Sequence, residues 1–419
     1  MANIIRSLRD KGIAAVEVLS GFCQRHTRFV STLFVLIIVC KGLSVAGSGR
    51  FGDFQPLVNG VERLHAGRAL YVTDVSHPEY VYSPFVALLL YPAGFLSPPI
   101  FRFIWLVVNA LAVVALFFVS ARLINLESLG REARFRVVVL TTLATWPWIV
   151  GNLFNGQVNP LLMAMAVGGV WLASLGRPVL GGGLLGLALH IKPFPVVFFA
   201  PLLVQGHLQA CIFSVIFYLG FLLIPWSFFG EEYGAVLGGW FDANREQQTI
   251  YNVADWGHQS VSAFVFRLFG AQNPVPFSLD ISNPMYLLSI GSSLILCILS
   301  LRCIWLSRDK EVVGICISAI LWAMLPPTSW KHYYLILVPP IMFLACRIVT
   351  GEEGAKRAGQ ILGWSVALGV LRYVSVGSYR HLFYSLSYCV WIGLATWLFM
   401  AGECRRIDHR QRFDKGMAR

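Results

Sequence analysis

The chain has 419 residues, of which 57% are hydrophobic and 13% are charged, and its mean hydropathy is +0.67. A soluble protein carries about twice that charged fraction, so these values exclude a water-soluble enzyme and favour a polytopic helical membrane protein. The net charge of +12 comes from basic residues at the ends of apolar stretches and at the termini. This distribution is typical of the positive-inside bias and not of nucleic-acid binding.

The apolar stretches predict an all-α protein with about twelve transmembrane helices in one integral domain, residues 29–402. The predicted spans are residues 29–46, 82–97, 103–121, 137–153, 159–175, 179–204, 208–229, 284–306, 312–326, 332–349, 358–376 and 382–402. An even number of spans puts both termini on one side. The basic N-terminal segment 1–28 and the basic tail 403–419 indicate that this side is the cytoplasm. Two long loops, 47–81 and 230–283, are then extracytoplasmic.

One loop conflicts with this topology. Residues 122–136 carry four arginines, yet twelve spans place them outside, against the positive-inside bias. If residues 82–97 are re-entrant instead, the loop moves inside, but the later loops are then misaligned. The twelve-span arrangement is therefore kept, and the side of this loop is left open.

Asp53 follows the first predicted span, in a segment of glycines and aromatic residues. A carboxylate at the exit of a span is held at the water–lipid boundary, where a base can meet both a lipid-borne and a soluble substrate. Asp53 is therefore the candidate catalytic base. Next to it, apolar residues at helical spacing between Phe54 and Leu64 predict a short amphipathic helix in the plane of the interface.

An amide cluster lies between two predicted spans in the middle of the chain. Asn152, Asn155, Gln157 and Asn159 are suited to hydrogen bonds with sugar hydroxyls or phosphate, and equally to a polar turn. The pattern leaves both interpretations open.

Lys192 lies deep in an apolar segment, two residues after His190 and directly before the helix-breaking Pro193. A charge inside a span is costly, and a counter-charge for a lipid phosphate would explain it. Snorkelling to the headgroups is the alternative. His332, after Pro326-Pro327, is a second candidate for binding phosphate or positioning an acceptor. Its aromatic neighbours also fit an interfacial belt.

Several other patterns favour structural roles. Gly181, Gly182, Gly183 and Gly186 indicate close helix packing, and the cysteines are typical of small buried apolar residues. The prolines near residues 84, 92, 193, 195 and 326 predict interrupted helices that line a polar cavity. Walker, dinucleotide-binding, zinc-protease and nucleophile-elbow motifs are absent from the sequence.

Four stretches, in this order, resemble glycosyltransferase family 87 of the GT-C superfamily. They are Gly52-Asp53-Phe54; Gly67–Tyr71 with Tyr80–Pro84 and Pro92; Asn155–Asn159 with Gly186–Pro193; and His258-Gln259-Ser260 with Ser329–His332. The resemblance covers the chain up to about residue 345. The family often has Asn-Gln-Ser where this chain has His258-Gln259-Ser260, and Tyr-Pro-Pro where it has Tyr82-Ser83-Pro84.

The resemblance implies a GT-C-like transferase that moves a hexose, mannose above all, from a polyprenyl-phosphate sugar to a hydroxyl of a glycolipid or glycan. Asp53 would be the general base of an inverting displacement at the outer face. Lys192, Lys331 and His332 would meet the leaving phosphate. The sugar or the acceptor would be bound by Tyr82, Asn155, Gln157, Asn159, His190, His258, Gln259 and Trp330. No cofactor or metal is expected, and the location would be the bacterial inner membrane, among membrane lipids.

Two other hypotheses are a transporter or flippase, and a membrane-bound scaffold or acyltransferase-like enzyme. A transporter or flippase of lipid-linked sugars would use the aromatic and amide residues to line a path, although the sequence shows no clear internal repeat. An acyltransferase-like enzyme would need an intramembrane histidine with acid or amide support, and His190 and His332 are far apart in sequence.

Overall fold

The computed structural model describes residues 52–72, 79–250, 252–269, 283–307, 310–374 and 387–417, with the side chains of 248–250, 370–374 and 405–417 left out. The predicted segment 1–28 and span 29–46 lie outside these residues. So do parts of both long loops and parts of the spans 358–376 and 382–402. The described residues form helices without any strand beyond one isolated bridge, as the sequence predicts.

Eight α-helices form the first half of the described chain. They are α1 Gln55–His65, α2 Pro84–Leu90, α3 Pro98–Leu123, α4 Arg131–Asn155, α5 Asn159–Ser174, α6 Pro178–Ile191, α7 Phe199–Val204 and α8 Leu208–Leu223. A 3₁₀ helix, Tyr91–Phe95, continues α2, and another, Phe194–Phe198, precedes α7. Proline in the first turn, where no N–H partner is lost, opens several of these helices.

Eight further helices form the second half. They are α9 Trp226–Phe229, α10 Tyr233–Ile250, α11 Val261–Leu268, α12 Pro284–Leu306, α13 Lys310–Met324, α14 Val338–Thr350, α15 Ala355–Val374 and α16 Tyr388–Met417. A 3₁₀ helix, Lys331–Leu337, precedes α14.

Five segments of the described chain are long and apolar enough to cross a membrane. They are Pro98–Leu123, Arg131–Asn155, Leu208–Gln247, Pro284–Leu306 and Lys331–Thr350. Shorter apolar helices accompany them, including α5 and α6. The described residues thus form an all-helical membrane protein. The total of twelve membrane crossings remains a prediction.

The predicted single span 179–204 is wrong, because the chain reverses at Lys192. Pro193 ends α6 and leaves Lys192 extended, with φ −148° and ψ 144°. A Cβ built on Gly182 would lie 2.7 Å from the Ala210 carbonyl oxygen, and one on Gly186 2.6 Å from that of Ser214. Higher residue numbers on α6 therefore contact higher residue numbers on α8, so these two helices run parallel.

The segment Phe194–Val204 returns the chain between these parallel helices, alongside α13. The Ser318 hydroxyl donates to the Val197 carbonyl at 3.1 Å, and Gln205 donates to the carbonyl of Lys310 at 3.0 Å. Increasing residue numbers on α13 thus contact decreasing residue numbers on the returning segment, so the two run antiparallel. The single long apolar stretch of the sequence therefore consists of two antiparallel segments.

The predicted span 82–97 is also not one continuous transmembrane helix. It divides into α2 and the 3₁₀ helix Tyr91–Phe95, and His65 Nε2 at the end of α1 lies 2.9 Å from the Tyr91 carbonyl oxygen, which places this segment against α1. The predicted amphipathic helix is confirmed as α1. Phe54, Leu57 and Val61 are buried on one face, and Glu62 is exposed on the other.

The core of the bundle is α13, in which every residue from Val312 to Met324 is buried. The 3₁₀ helix Lys331–Leu337 and the first half of α14 continue this core. In contrast, α8 and α12 expose large apolar side chains on their outer faces, such as Ile216 and Ile298. An inside-out distribution of this kind suits helices that face lipid.

Replacing Gly182 by alanine is expected to lower the free energy of unfolding by about 1–3 kcal/mol, the usual cost of overpacking. The added Cβ would press on the backbone of α8, at the Ala210 oxygen 2.7 Å away and the Ser214 nitrogen 2.8 Å away. Gly183→Ala is the matched control, because its Cβ would make an ordinary contact of 3.4 Å with the Phe217 ring. Denaturant titration in detergent measures both, and equal stability of the two variants would contradict the close packing.

Candidate active site

Asp53 is placed by its neighbour Phe54. The Phe54 ring is fully buried, stacked on Trp105 at 5.2 Å and edge-on to Phe101 at 4.8 Å. The backbone N–H of Asp53 donates to the Asn155 carbonyl at 3.2 Å. The start of α1 is thereby fixed against the end of α4, and the amide cluster lies beside the carboxylate.

Asp53 is exposed, although the surrounding protein still reduces the hydration of its carboxylate. The resulting loss of hydration raises the pKa of Asp53 above its usual value. A hydrogen bond with Gln157 and the positive charges of Lys192 and Lys331 act in the opposite direction. Asp53 therefore shares one electrostatic environment with three of the predicted site residues.

The amide cluster is a buried hydrogen-bond network. Asn159 Nδ2 donates to Gln157 Oε1 at 3.1 Å and to Asn152 Oδ1 at 3.3 Å, and Asn152 Nδ2 donates to the His332 carbonyl at 2.8 Å. Asn155 is exposed and contributes its backbone carbonyl to Asp53. The cluster thus helps to hold Asp53 in position. Direct contacts between these amides and a sugar remain a prediction.

Lys192 points into this network. Its Nζ donates to Asn159 Oδ1 at 3.1 Å and to the Tyr333 hydroxyl at 3.3 Å, and it lies 5.1 Å from the centroid of the Tyr333 ring. The side chain is half-buried and its charge has no carboxylate partner among its hydrogen-bond contacts in the described part of the chain. A half-buried ammonium with neutral partners is suited to an anionic ligand.

The segment Trp330–Tyr333 forms the opposite wall. His332 is buried, and its ring is parallel to that of Trp330 at 6.1 Å. Lys331 is half-buried and close enough for its charge to act on Asp53. The structure therefore brings the four residues with the most specific predicted roles, Asp53, Lys192, Lys331 and His332, to one region.

The second long loop is held against this wall. His258 pairs with Trp330 in an isolated antiparallel bridge, and the Gln259 N–H donates to the Ser329 carbonyl at 2.5 Å. Both His258 and Gln259 are buried, and burial lowers the pKa of His258. Gln259 Nε2 also donates to the Trp256 carbonyl at 3.0 Å. Their observed contacts hold the loop in place, and sugar binding by either remains a prediction.

Tyr82 and His190 make contacts that are separate from the hydrogen bonds of Lys192 and Asn159. His190 is buried among aromatic rings, 5.3 Å from Phe85 and 5.4 Å from Tyr218, and its ring nitrogens have no hydrogen-bond partner within the described chain. The Tyr82 carbonyl accepts a hydrogen bond from Tyr71 at 2.6 Å. The structure does not place either side chain in hydrogen-bond contact with Lys192 or Asn159, whose side-chain partners in the described residues are given above.

Three residues that contact the candidate site were not among the site residues predicted from the sequence. Tyr333 contacts Lys192, and Trp105 Nε1 donates to the Gly156 carbonyl at 2.8 Å. The Arg267 guanidinium donates to the carbonyls of Asp255 and His258, at 2.6 and 2.8 Å, and so clamps the second loop. Arg267 in a short apolar stretch was a usable signal, whereas Trp105 and Tyr333 look like ordinary membrane-interface aromatics.

Trp105 also shows how deep the site lies. It is seven residues after Pro98, the start of α3, and its bond to Gly156 puts the amide cluster level with it. At 1.5 Å per residue, the amide cluster lies about 10 Å along the axis of α3 from the end at Pro98. The site is thus recessed into the helical bundle.

Two kinds of comparison with known proteins agree. The model of glycosyltransferase family 87 matches residues 80–327, more than half of the chain. The polyprenol-phosphate-mannose-dependent alpha-(1-2)-phosphatidylinositol pentamannoside mannosyltransferase of Mycolicibacterium smegmatis is 29% identical over 357 residues, 82% of this chain and 80% of that protein.

Other similar proteins extend the range of sugars. The enzyme of the same name from Mycobacterium tuberculosis is 27% identical over 365 residues, 84% of this chain and 79% of its own. An alpha-(1->3)-arabinofuranosyltransferase of Corynebacterium glutamicum is 29% identical over 187 residues, 41% of this chain and 43% of its own.

Proposed function

The chain belongs to glycosyltransferase family 87, and from this premise we propose that it transfers a hexose, mannose above all, from a polyprenyl-phosphate sugar to a hydroxyl of a glycolipid or glycan. The names of the two mannosyltransferases support the donor class and a glycolipid acceptor. The proposal depends above all on one observation: the positive charges of Lys192 and Lys331 act on Asp53, and Lys192 is bonded to the buried amide network.

In the proposed reaction, Asp53 accepts the proton of the acceptor hydroxyl as its oxygen attacks the anomeric carbon. The bond from that carbon to the phosphate oxygen breaks, and its electron pair leaves with the polyprenyl phosphate. One displacement inverts the anomeric configuration. A raised pKa suits a base of this kind, because proton transfer is efficient when the pKa of the base approaches the working pH.

Charge on the leaving phosphate has to be met inside the recess. Lys192 and Lys331 supply full positive charges near Asp53, and His332 adds a possible donor from the same wall. Fixed donors aimed at developing charge are among the largest contributions to catalysis. We propose no metal or cofactor, because a monoester phosphate leaving group can be met by these side chains.

We propose that the site faces the outside of the bacterial inner membrane. Asp53, Lys192 and His332 lie at one end of the bundle, since α3 leads away from this end and α4 returns to it. The opposite end holds the loop 122–136 and the turns with Arg177 and Arg347. The positive-inside bias assigns this basic end to the cytoplasm.

The two corrections to the spans support this topology together. Residues 84–95 stay in the interface and do not cross, while 178–204 crosses twice because the chain reverses at Lys192. The total remains twelve when the predicted span 29–46 is counted. The arginines of loop 122–136 then face the cytoplasm, and the loops 47–81 and 230–283 stay outside.

Labelling of single cysteines tests the sidedness. On a cysteine-free background, Asp242→Cys is expected to react with a membrane-impermeant maleimide in intact cells. Glu127→Cys, exposed at the basic end, is expected to react only after permeabilisation. The reverse pattern would move the site to the cytoplasmic side.

A donor panel tests the function. Purified protein in liposomes receives polyprenyl-phosphate mannose, polyprenyl-phosphate glucose or polyprenyl-phosphate arabinofuranose, with a bacterial lipid extract as acceptor. We expect release of polyprenyl phosphate in equal amount to the sugar gained by the acceptor, with mannose preferred. Movement of the donor across the bilayer without any transfer would instead support a flippase.

Gln157→Leu is expected to move the acid limb of the pH–rate profile to higher pH. Loss of hydration raises the pKa of Asp53 and the Gln157 hydrogen bond lowers it, so removal of that bond lets the pKa rise further. A base must be deprotonated, and activity would therefore be lost at a higher pH on acidification. The control is Gln205→Leu at the other end of the bundle, and an unchanged midpoint in Gln157→Leu would argue against Asp53 as the titrating base.

A further inference from the structure

Tyr333 contacts one of the proposed phosphate ligands, Lys192, and lies near the proposed base, Asp53. Its side chain is buried, and its hydroxyl accepts a hydrogen bond from Lys192 Nζ at 3.3 Å. The charge of Asp53 acts on the same hydroxyl. Phe194 and His332 hold the ring, with centroids 5.4 and 5.2 Å away. The hydroxyl is thus fixed within the recess.

The direction of the Lys192 bond determines what this hydroxyl can still do. An ammonium group only donates, so the Tyr333 oxygen is the acceptor and its own proton is left for another partner. Among the described residues, no protein acceptor takes that proton in a hydrogen bond. A donated ammonium bond also polarises the O–H group and strengthens it as a donor.

We propose that Tyr333 is a catalytic residue whose hydroxyl donates a hydrogen bond to the phosphate of the polyprenyl donor. This inference rests on the proposed function, and it adds a neutral donor to the charged ones. As the bond between the anomeric carbon and the phosphate oxygen breaks, the electron pair passes to the phosphate. Tyr333 keeps its proton and stabilises that charge, while the acceptor's proton goes to Asp53.

Lys192 and Tyr333 then act as one unit. The ammonium donates to the hydroxyl and lies 5.1 Å from the ring centroid, so each group fixes the position of the other. Such preorganised donors need little rearrangement when charge develops. The sequence carries the residue only as one of two adjacent tyrosines after His332, with nothing to separate their roles.

The neighbouring tyrosine offers a matched control. The Tyr334 hydroxyl donates to the Gln259 carbonyl at 2.7 Å, and its side chain is fully buried beside the second loop. Tyr333→Phe and Tyr334→Phe remove one hydroxyl each and keep the rings. A merely structural role would be visible as a loss of stability in either variant, and thermal unfolding of both in detergent measures it.

Binding of farnesyl phosphate, a short analogue of the leaving group, gives the decisive readout without turnover. Calorimetry is expected to show affinity about 10–100-fold weaker for Tyr333→Phe, the usual effect of one hydrogen bond to a charged group. Tyr334→Phe is expected to bind within about threefold of the wild type, because its hydroxyl is used within the protein. Farnesol, which lacks the phosphate, should not distinguish the variants.

Turnover separates this inference from the function on which it rests. With an active donor, Tyr333→Phe should lower kcat about 10–100-fold and leave the acceptor KM unchanged. Equal farnesyl phosphate affinity in Tyr333→Phe and wild type would overturn the role of Tyr333. A wild-type protein that binds farnesyl phosphate through Tyr333 but transfers no sugar would overturn the proposed function and leave the binding role standing.

Discussion

Replacing Asp53 by asparagine is expected to lower the rate of sugar transfer by about 10²–10⁴-fold, the usual contribution of a general base. The amide keeps the size of the side chain but cannot accept the proton of the acceptor hydroxyl. Folding should change little, because the fixed contacts at this point are the backbone bond to Asn155 and the buried Phe54 ring. Single-turnover transfer from the preferred donor measures the loss.

Asp242→Asn provides the control for that experiment. Asp242 is an exposed carboxylate on α10, in the other long loop, and its replacement should leave the rate within about twofold of the wild type, as for a surface change. Full activity of Asp53→Asn in correctly inserted protein would remove this residue from the mechanism. Equal losses in both variants would indicate a general effect of charge at this face.

Replacing Lys192 by methionine is expected to lower kcat by about 10²–10³-fold, as for the loss of one preorganised donor to developing charge. Methionine keeps an unbranched chain and removes the ammonium. The bonds to Asn159 and Tyr333 are lost with it, and so is part of the positive charge near Asp53. The pKa of Asp53 should therefore rise further, and the loss should be greater at low pH.

Lys310→Met is a matched comparison at the opposite end of the bundle. Lys310 Nζ faces the Trp305 ring at 5.6 Å, much as Lys192 faces Tyr333. We expect Lys310→Met to retain transfer within about threefold of the wild type, since this half-buried charge lies at the opposite end of the bundle and has no part in the proposed reaction. Retention of wild-type kcat by Lys192→Met would refute its role on the leaving phosphate.

Local patterns in the sequence predicted much of the fold. Helical spacing of apolar residues was sufficient for α1, because one face of that helix is buried and the other exposed. The run of glycines in α6 indicated close packing, and backbone atoms of α5 and α8 do lie against Gly181, Gly182 and Gly186. These features depend on neighbours within one or two turns, which the sequence displays directly.

The reversal at Lys192 could not be predicted in the same way. Residues 179–204 are apolar almost throughout, and hydropathy does not distinguish one long helix from two antiparallel legs. Pro193 indicated a break, but the direction of the chain after it depends on α8 and α13, which are distant in sequence. The side of loop 122–136, which depends on whether residues 84–95 cross the membrane, stays a prediction.

The site was predictable as a set of residue types and not as a geometry. Asp53 and Lys192 stand out because charges are rare in apolar surroundings, and the structure places them in one electrostatic environment. Asn152 was recognised only as part of an amide cluster, and its bond to the His332 carbonyl joins positions 180 residues apart. Long-range pairing of this kind has no signature in a single sequence.

The depth of the amide cluster below the end of α3 has a consequence for the substrates. If the donor is a polyprenyl-phosphate sugar, as we propose, its sugar can react without leaving the leaflet, and the acceptor hydroxyl has to reach a site below the end of α3. Hydrocarbon thickness then becomes a kinetic variable, because a thicker leaflet lengthens that path and a thinner one shortens it. Under the proposed function, the acyl-chain length of the surrounding lipids would then change the rate of sugar transfer without any change in the residues of the site.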